Sequence, residues 1–353
     1  MTIQELLDIV VAKDSSDLHL VVGSPPSIRI DGALIFIRNE PLTHDESTQL
    51  ISSLLTPEQR DQFQINREID FSYQFGTRGR FRINAYFQQN HPSAALRLIH
   101  SNIKTPEQLR LPQIVHSFAS LKQGFVLVTG PTGHGKSSTL AAIIEEVNQT
   151  RSDHIITIED PIEFIYTPKK SVISQREMKA DTHGWDIALR SVLREDPDVV
   201  LVGEMRDHET ISAALTVAET GHLVFATLHT NSAAQTIDRI IDVFPDEQQQ
   251  QVRQQLAGSL EAVISQRLIP AVPAGRIPAT EILLATPAVR NLIREGKSHQ
   301  IDNVIQTSGA LGMMTLENSL VSWVKAGAIT MEMAKTYALR PGEIERLVHG
   351  AEA

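Results

Sequence analysis

The sequence predicts an α/β protein in which a domain with a mostly parallel sheet follows a small α+β domain. In the C-terminal two thirds of the chain, short apolar segments alternate with helical segments, which is typical of parallel strands covered by helices on both faces. Before that part, extended segments follow a few short helices, as in a small α+β domain. The length of 353 residues is sufficient for both. We therefore expect an N-terminal domain over residues 1–99, a linker over 100–112 and a larger domain over 113–353.

Local signals predict the elements of the N-terminal domain. Thr2 and Glu5 have the spacing of a capping box and start a helix. The pair Asp31-Gly32 separates two apolar segments and predicts a two-residue hairpin turn, which requires positive φ at both positions. In the linker, Thr105-Pro106-Glu107-Gln108 predicts the start of a short capped helix. Two helices and then three strands are expected over Thr43–Leu55, Pro57–Ile65, Ile69–Phe75, Arg80–Phe87 and Ala94–Ile99.

The larger domain is predicted to alternate strands and helices. Helices are expected over Ser137–Asn148 and Thr210–Thr220. From about Asp246 onward the pattern is mainly helical, and the glutamines at Gln248–Gln251 are expected on a helix face. Four apolar segments are short enough to be buried strands: Phe125–Thr129, His154–Ile158, Val199–Val202 and Leu223–Thr227.

Composition and charge exclude several classes of function. The chain has no cysteine, which removes disulfides, thiolate metal sites and a cysteine nucleophile, and which fits a reducing compartment. The formal net charge of −10 is opposite in sign to that of most proteins that coat duplex DNA, so we expect no nucleic-acid partner. No apolar stretch approaches about 18 residues, and Met1–Asp8 lacks a cationic start. We therefore expect no transmembrane segment, no secretory signal and a cytoplasmic location.

A phosphate-binding loop is predicted at Gly130–Ser137, which matches G-x-x-x-x-G-K-[ST] between a buried strand and a helix. Its glycines let successive backbone amides point into one concavity, and the helix start adds partial positive charge. Lys136 can place its ammonium group between terminal phosphates, and the Ser137 hydroxyl can ligate Mg²⁺. A chance glycine-rich turn is the alternative, and no side-chain chemistry is expected of His134. The nucleotide is expected to contact Thr132, Gly133, His134, Gly135, Lys136, Ser137 and Ser138.

Acidic residues follow two of the predicted strands. Glu204 comes just past one buried strand, and Glu159, Asp160 and Glu163 come at or after the end of another. Because the carboxyl ends of parallel strands face the ligand crevice, these acids are expected near the phosphates. Gly203 stands where many P-loop ATPases carry aspartate. Glu204 is therefore expected to be the single acid that orients Mg²⁺ or water at its strand end. An acid of the other segment is expected to polarise the attacking water. A solvated loop charge is the alternative for each acid.

Two histidines and three arginines are further candidates. His222 and His229 bracket a predicted strand, and three interpretations stay open: a zinc-binding pair, a contact from His229 to a γ-phosphate, and a structural role. Arg80, Arg82 and Arg97 lie on predicted strands of the N-terminal domain. An arginine there can reach across an interface and stabilise a transferring phosphoryl group, or it can remain an exposed strand residue.

Motifs spread over nearly the whole chain point to one family. Besides the phosphate loop, they are Ser16–Leu20, Gly79–Arg82, Thr157–Phe164, Leu193–Asp198, Val202–Asp207, Ala218–His222, Thr227–Ser232 and Ala288–Glu295. In these segments the chain resembles the PilT-type retraction ATPases of type IV pili, within the secretion-ATPase superfamily. Because so many segments occur in the same order, the resemblance is specific.

The resemblance implies a hexameric ring of two-domain subunits. Each subunit would have a PAS-like α+β domain followed by a RecA-like P-loop ATPase domain that uses ATP and Mg²⁺. By match to the family motifs, Glu163 is the catalytic glutamate, Glu204 is the Walker B acid, and His229 belongs to the histidine box. Arg82 and Arg97 match the arginines that reach the nucleotide.

Within the superfamily we expect a role in pilus retraction and twitching motility. Assembly ATPases carry an extra N-terminal region and a four-cysteine motif, whereas this chain has no cysteine and starts on its predicted first helix. The expected partners are five further copies of the chain, the inner-membrane platform protein of the pilus and a paralogous retraction ATPase. We expect peripheral association with the inner membrane at the pilus base. A PilU-like accessory retraction ATPase is the first alternative, and a pilus assembly or type II secretion ATPase is the second.

Two other classes of function compete with this interpretation. A RecA-like nucleic-acid motor would need a basic channel with aromatic side chains, which 5% aromatic residues and a net charge of −10 disfavour. A scaffold that binds nucleotide without hydrolysing it would fix the shape of a ring, and the complete set of acids argues against it.

Overall fold

The structure is a computed structural model that describes residues 1–30, 33–76, 78–99 and 102–349. Its contacts divide the chain into two compact units. The first comprises Met1–Asn102 with Glu163–Ile165, and the second comprises Ile103–Ile162 with Tyr166–Ala353. Each unit has its own sheet and its own hydrophobic core.

The first unit is built on a six-stranded antiparallel sheet. Its strands are β1 (Asp17–Leu20), β2 (Ser27–Ile30), β3 (Ala33–Phe36), β4 (Glu68–Phe75), β5 (Gly79–Gln88) and β6 (His91–Ile99). Its helices are α1 (Ile3–Ala12), α2 (His44–Ser52) and α3 (Pro57–Asn66). The strands lie in the order β3-β2-β1-β6-β5-β4, and each neighbouring pair is antiparallel.

The helices α1, α2 and α3 each begin at a threonine capping box. The side chains of Thr2, Thr43 and Thr56 accept from the third helical amide, whose own side chain reaches back to the threonine N–H. These bonds satisfy helix-start amides that have no partner within the helix. The predicted helices and strands of residues 1–99 are confirmed, with bounds that differ by a few residues.

Two predicted connections have different outcomes. β2 and β3 pair as neighbours in a hairpin with Ile30 opposite Ala33, while the predicted turn Asp31-Gly32 lies outside the described residues. The short helix predicted from Thr105 is wrong, because residues 106–110 form only turns. Thr105 and Gln108 do exchange the two capping bonds, at 3.0 and 3.4 Å. The helix cannot continue because Arg110 has a left-handed φ of 57° and a proline follows shortly after it.

The second unit contains a seven-stranded, mostly parallel sheet. Its strands are β7 (Gly124–Thr129), β8 (His154–Glu159), β9 (Val172–Glu177), β10 (Val199–Val202), β11 (Leu223–Leu228), β12 (Leu260–Pro270) and β13 (Arg276–Leu284). Its helices are α4 (Val115–Ala119), α5 (Lys136–Thr150), α6 (Trp185–Val192), α7 (His208–Glu219), α8 (Ala233–Asp242), α9 (Asp246–Ser259), α10 (Pro287–Arg294), α11 (Ile301–Thr307), α12 (Leu316–Lys325), α13 (Met331–Tyr337) and α14 (Pro341–His349). The strand order is β13-β12-β7-β11-β10-β8-β9, and β13 alone runs antiparallel to its neighbour in this described sheet.

The central strands of this sheet are apolar because both of their faces are covered. Every residue of β7, β10 and β11 is buried. Since successive side chains point to opposite faces of a strand, burial without alternation requires packing on both sides. One face shares a core with α6, α7, α8 and α9, in which Leu127, Val200 and Ala226 lie. The α/β class with a mostly parallel sheet is therefore confirmed.

The expectation of a mainly helical chain from about Asp246 is wrong over residues 260–284. α9 ends at Ser259, and the chain then forms β12 and β13. β12 mixes residues that suit helices, such as Leu260 and Ala262, with the β-branched residues Val263, Ile264 and Ile269. It pairs with β7 along one side and with β13 along the other, and this pairing makes the segment a strand. β9 was also not predicted from the sequence, and it pairs in parallel with β8.

Among the residues that the structure describes, no helix is both long enough and apolar enough to cross a lipid bilayer.

Phe225→Ala is expected to destabilise the second unit by about 3–5 kcal/mol, because it empties a buried position on the central strand β11. The control Ile187→Ala removes a side chain that is 54% exposed, and it should change stability by no more than about 0.5 kcal/mol. Urea unfolding followed by tryptophan fluorescence reports on this unit, because Trp185 and Trp323 both lie in it. Equal effects of the two substitutions would contradict the packing described.

Candidate phosphate-binding site

The parallel strands of the second unit bring several predicted site residues to one edge. Thr129 of β7 is paired with Leu228 of β11, and Val202 of β10 is paired with Ala226 of the same strand. The segments that leave these strands are therefore neighbours. They are the phosphate loop, the segment that contains Glu204 and the segment that contains His229.

The backbone of the loop has a shape that side chains at two positions would disturb. Gly130 has a φ of +139°, and a Cβ there would lie 2.2 Å from the carbonyl oxygen of Gln266. Gly135 has a φ of +83°, and its Cβ would lie 2.8 Å from Nε2 of the same glutamine. Both positions thus require glycine, because the loop passes directly against β12.

α5 starts immediately after Gly135, which is its N-cap residue. A glycine has no side chain that could accept from the amides of the first helical turn. These amides and the helix dipole are consequently available to an anion, as in other helix-start phosphate sites.

Lys136 is held over the loop, and its side chain is largely buried, with the whole residue 8% exposed. Its Nζ donates to the carbonyl oxygens of Gly130 at 2.8 Å and Pro131 at 3.0 Å. It also lies 3.3 Å from Nδ1 of His229. An ammonium group can only donate, so Nδ1 accepts here and the ring proton of a neutral His229 is on Nε2.

Glu204 completes a polar series that starts at Lys136. Its Oε1 lies 2.9 Å from Nε2 of His229, and its Oε2 accepts from the guanidinium of Arg206 at 2.7 Å. The hydrogen bond from Arg206, helped by the charge of that arginine and by His229, lowers the pKa of Glu204 against the opposing effect of burial. Glu204 is therefore a carboxylate at neutral pH. Two side chains, those of His229 and Arg206, hold this carboxylate.

The second predicted acidic segment places Glu159 at the end of β8. This residue is 7% exposed, and its Oε1 accepts from the hydroxyl of Thr157 at 2.7 Å. The neighbouring Gly203 has little free space, because a Cβ there would lie 3.2 Å from both Cα of Glu159 and the carbonyl oxygen of Ile158. A side chain at position 203 would therefore require the backbone of β8 to give by a few tenths of an ångström.

His134 has a structural role that the sequence did not indicate. Its Nδ1 accepts from the backbone N–H of Leu268 at 3.0 Å, and its carbonyl oxygen accepts from Nε2 of Gln266 at 2.8 Å. The same glutamine accepts from the hydroxyl of Thr139 at 2.7 Å. Burial and the charges of Lys136 and nearby arginines lower the pKa of His134. The ring is thus neutral and ties the loop to β12.

The remaining predicted site residues of this segment lie in the loop and in the first turn of α5. Thr132 and Gly133 are exposed at the tip of the loop, and Ser137 and Ser138 are partly buried in the first turn of α5. Glu163 is exposed and belongs to the first compact unit.

Arg82 and Arg97 lie side by side within the first unit. They are directly opposite each other on β5 and β6, and both are exposed. Asp17, on the next strand, accepts from Nε of Arg97 at 2.9 Å. This hydrogen bond and one from Ser16 lower the pKa of Asp17 against the opposing effect of burial.

His222 does not form a metal pair with His229. The two residues flank opposite ends of β11, and Nδ1 of His222 lies 3.0 Å from both the hydroxyl of Thr220 and the carbonyl oxygen of Val217. His222 therefore stabilises the end of α7. Within the described ranges there is no group of three or more residues suited to hold a metal ion without a nucleotide.

The site fits a nucleotide with Mg²⁺. The open helix start, the loop amides and Lys136 suit phosphate oxygens. Ser137 and Glu204 supply a hydroxyl and a carboxylate, the hard oxygen ligands that Mg²⁺ prefers when it binds together with phosphates.

Sequence reasoning missed Arg206 and Gln266. Arg206 lies two residues after Glu204 in the motif Val202–Asp207, and this spacing could have suggested the ion pair. Gln266 lies far along the chain in a segment predicted to be helical, and no local signal connects it with the loop.

A phosphate loop at the carboxyl edge of a mostly parallel sheet, with acids after the neighbouring strands, defines a nucleotide-binding α/β protein of the P-loop class. Residues 3–276 match the family model described as type II/IV secretion system protein. The chain belongs to this family.

Its relatives include motor proteins of type IV pili. The type IV pilus retraction ATPase PilT of Pseudomonas aeruginosa is 50% identical over 341 residues, which are 97% of this chain and 99% of that protein. The type IV pilus ATPase PilU of the same organism is 38% identical over 349 residues, which are 99% and 91% of the two chains. A crystal structure of the pilus retraction motor PilT with bound ADP has a TM-score of 0.92 at 45% identity and covers 98% of this chain and 99% of its own. The predicted resemblance to PilT-type retraction ATPases is confirmed.

Acidification is expected to weaken the bond between His134 and Leu268. The pKa of His134 lies below its usual 6.5 in the folded protein, so the unfolded chain takes up the proton first and the stabilisation is lost as the pH falls below 6.5. In His134→Asn, the amide oxygen can accept the same bond and does not titrate. The melting temperature of the wild type should therefore fall relative to that of the variant between about pH 7 and about pH 5. A constant difference over this range would show that the ring is not the acceptor.

Proposed function

We propose that this chain hydrolyses ATP as a subunit of a hexameric ring and thereby powers retraction of type IV pili and twitching motility. The observation that carries the proposal is the series Lys136–His229–Glu204 beside the phosphate loop, in a chain similar to PilT along almost its whole length. This series places a cation, an imidazole ring and a carboxylate next to the backbone that would hold the phosphates.

The loop and the start of α5 would bind the nucleotide. Lys136 would exchange its present contacts with two loop carbonyls for contacts with the β- and γ-phosphates. Further contacts would come from Thr132, Gly133, His134, Gly135, Ser137 and Ser138. Ser137 and Glu204 would hold Mg²⁺, partly through water. When bound, Mg²⁺ neutralises charge that develops on the phosphoryl oxygens.

His229 would report whether a γ-phosphate is present. Its Nδ1 now accepts from Lys136, and its Nε2 donates to Glu204. A phosphate that draws the ammonium group away leaves Nδ1 without this donor. His229 would then be able to respond to the phosphate while it still orients Glu204.

Glu163, Arg82 and Arg97 would complete the reaction. Glu163 would orient and polarise the water for in-line attack. Arg82 and Arg97 would stabilise the charge on the transferring phosphoryl group, since two adjacent guanidinium groups favour an anion.

Hydrolysis would drive motion because it would remove the phosphate that the loop binds and whose charge the arginines would stabilise. A closed state that is stabilised by this phosphate loses its advantage over an open state once the phosphate leaves. Sequential closing and opening around the ring would act on the inner-membrane platform protein at the cytoplasmic base of the pilus, so that pilin leaves the fibre.

A role like that of PilU is the second candidate, because PilU is also similar over nearly the full chain. The higher identity to PilT favours the primary retraction role. In that role the chain would work with a PilU-like paralogue as partner.

Lys136→Ala is expected to abolish phosphate release, because it removes the only side-chain cation of the phosphate loop itself. Lys122→Ala, an exposed lysine ahead of β7, is the matched control and should keep wild-type turnover. In cells that lack the wild-type gene, the Lys136→Ala protein should leave excess surface pili and no twitching. Loss of surface pili on deletion would instead indicate assembly, and tight ATP binding without turnover in the wild type would indicate a scaffold.

Glu204→Gln is expected to slow hydrolysis by about a hundredfold or more while nucleotide stays bound. The amide oxygen can still accept from Nε2 of His229, whereas the bond from Arg206 and the negative charge are lost. Single-turnover phosphate release and ADP affinity separate the two effects. Glu209→Gln, an exposed residue of α7, serves as the control. Wild-type release from Glu204→Gln would remove Glu204 from the proposed mechanism.

A further inference from the structure

Glu281 of β13 is a buried acid outside every motif that the function uses. The residue is 1% exposed. Its Oε1 accepts from the backbone N–H of Ala233 at 2.6 Å. Ala233 is the first residue of α8, and Ser232 is the N-cap. A carboxylate near a helix start is favoured by the helix dipole and satisfies an amide without a helical partner.

Hydrogen bonds tie the segment that links His229 to α8 to the first turn of that helix. The hydroxyl groups of Thr230 and Thr236 lie 2.6 Å apart, and the hydroxyl of Thr236 donates to the carbonyl oxygen of Ser232 at 2.7 Å. These bonds fasten the segment to the first turn of α8. The position of that turn therefore determines where His229 leaves β11.

β13 is itself firmly held on both sides of Glu281. The backbone N–H of Thr280 donates to the hydroxyl of Ser319 at 3.0 Å, and Ile282 exchanges backbone hydrogen bonds of 2.8 and 3.1 Å with Met314. Glu281 thus joins a fixed strand to the helix that follows the histidine segment.

We propose that Glu281 is a positioning residue for ATP hydrolysis, which holds the start of α8 so that His229 stays between Lys136 and Glu204. The inference rests on the proposed function. It extends that function to Glu281, which forms no hydrogen bond with the phosphate loop among the described residues. A shift of α8 would change both distances of His229, 3.3 Å to Lys136 and 2.9 Å to Glu204.

The charges around Glu281 show that a carboxyl group at this position is costly for stability. It faces Asp302 of α11 and Glu317 of α12, which are acids, and Arg340 and Arg267. Burial, followed by the two acids, raises the pKa of Glu281 to about 7, against the lowering effect of the Ala233 amide and Arg340. A buried ionisable group is often replaceable by an apolar one when stability alone matters.

Two substitutions of Glu281 separate positioning from stability. Glu281→Gln keeps an acceptor oxygen for Ala233, whereas Glu281→Met has similar length and no acceptor. We expect Glu281→Met to lower kcat at least about tenfold, with KM and ADP affinity within about twofold of wild type. Glu281→Gln should restore most of kcat. Glu317→Met, which removes another buried acid of the same group, should keep kcat at temperatures below its unfolding transition.

Hydrogen exchange gives a readout that does not depend on activity. In nucleotide-free protein, the amides of residues 229–234 should exchange faster in Glu281→Met than in Glu281→Gln, while those of β7 and β11 exchange at the wild-type rate. If Glu281→Met does not fold, Ala233→Pro removes the same bond from the donor side, because proline is accepted at the first helical position. It should lower kcat in the same way.

Three results would overturn the inference. The first is a wild-type kcat in Glu281→Met or in Ala233→Pro. The second is an equal loss of kcat in Glu281→Gln and Glu281→Met. The third is faster amide exchange over the whole second unit in Glu281→Met. Failure of the proposed function looks different, since the wild type itself would then release no phosphate. The exchange rates of residues 229–234 would still decide whether Glu281 holds the segment.

Discussion

The parallel pairing of β7, β11 and β10 is the constraint on which the site depends. It brings the phosphate loop, His229 and Glu204 to one edge, although they are far apart in the sequence. An antiparallel neighbour would have carried one of these segments to the opposite edge of the sheet. Close packing on both faces opposes a shift in register, because every side chain of these strands is buried among neighbours of a particular size and shape.

At this edge of the sheet, the charged groups of Lys136 and Glu204 lie close together but are separated by the ring of His229. His229 lies between the ammonium group of Lys136 and the carboxylate of Glu204, and it can satisfy both only as a neutral ring with its proton on Nε2. Lys136 is already removed from most solvent contact by the loop carbonyls. Binding of phosphate would therefore exchange one set of oxygen partners for another, with little reorganisation of the chain.

Local sequence signals were sufficient for the capping box at Thr2, the hairpin strands, the central strands and the loop, because each depends on neighbouring residues. They were insufficient for β12, whose mixed composition does not distinguish a strand from a helix and which is a strand because it pairs with β7 and β13. The roles of Gln266 and of the His134 side chain follow from that pairing, so they were missed for the same reason. Arg82 and Arg97 lie on the strands predicted for them, whereas Glu163 lies in a segment without helix or strand. The role of each in the reaction stays a prediction.

The tight approach of Gly203 to β8 has a consequence for any substitution at this position. A Cβ there would lie 3.2 Å from both Cα of Glu159 and the carbonyl oxygen of Ile158, so the backbone of β8 would have to give by a few tenths of an ångström. A side chain at position 203 would therefore press on the end of β8, where Glu159 is buried. The spacing of β10 and β8 at their carboxyl ends thus depends on a residue without a side chain.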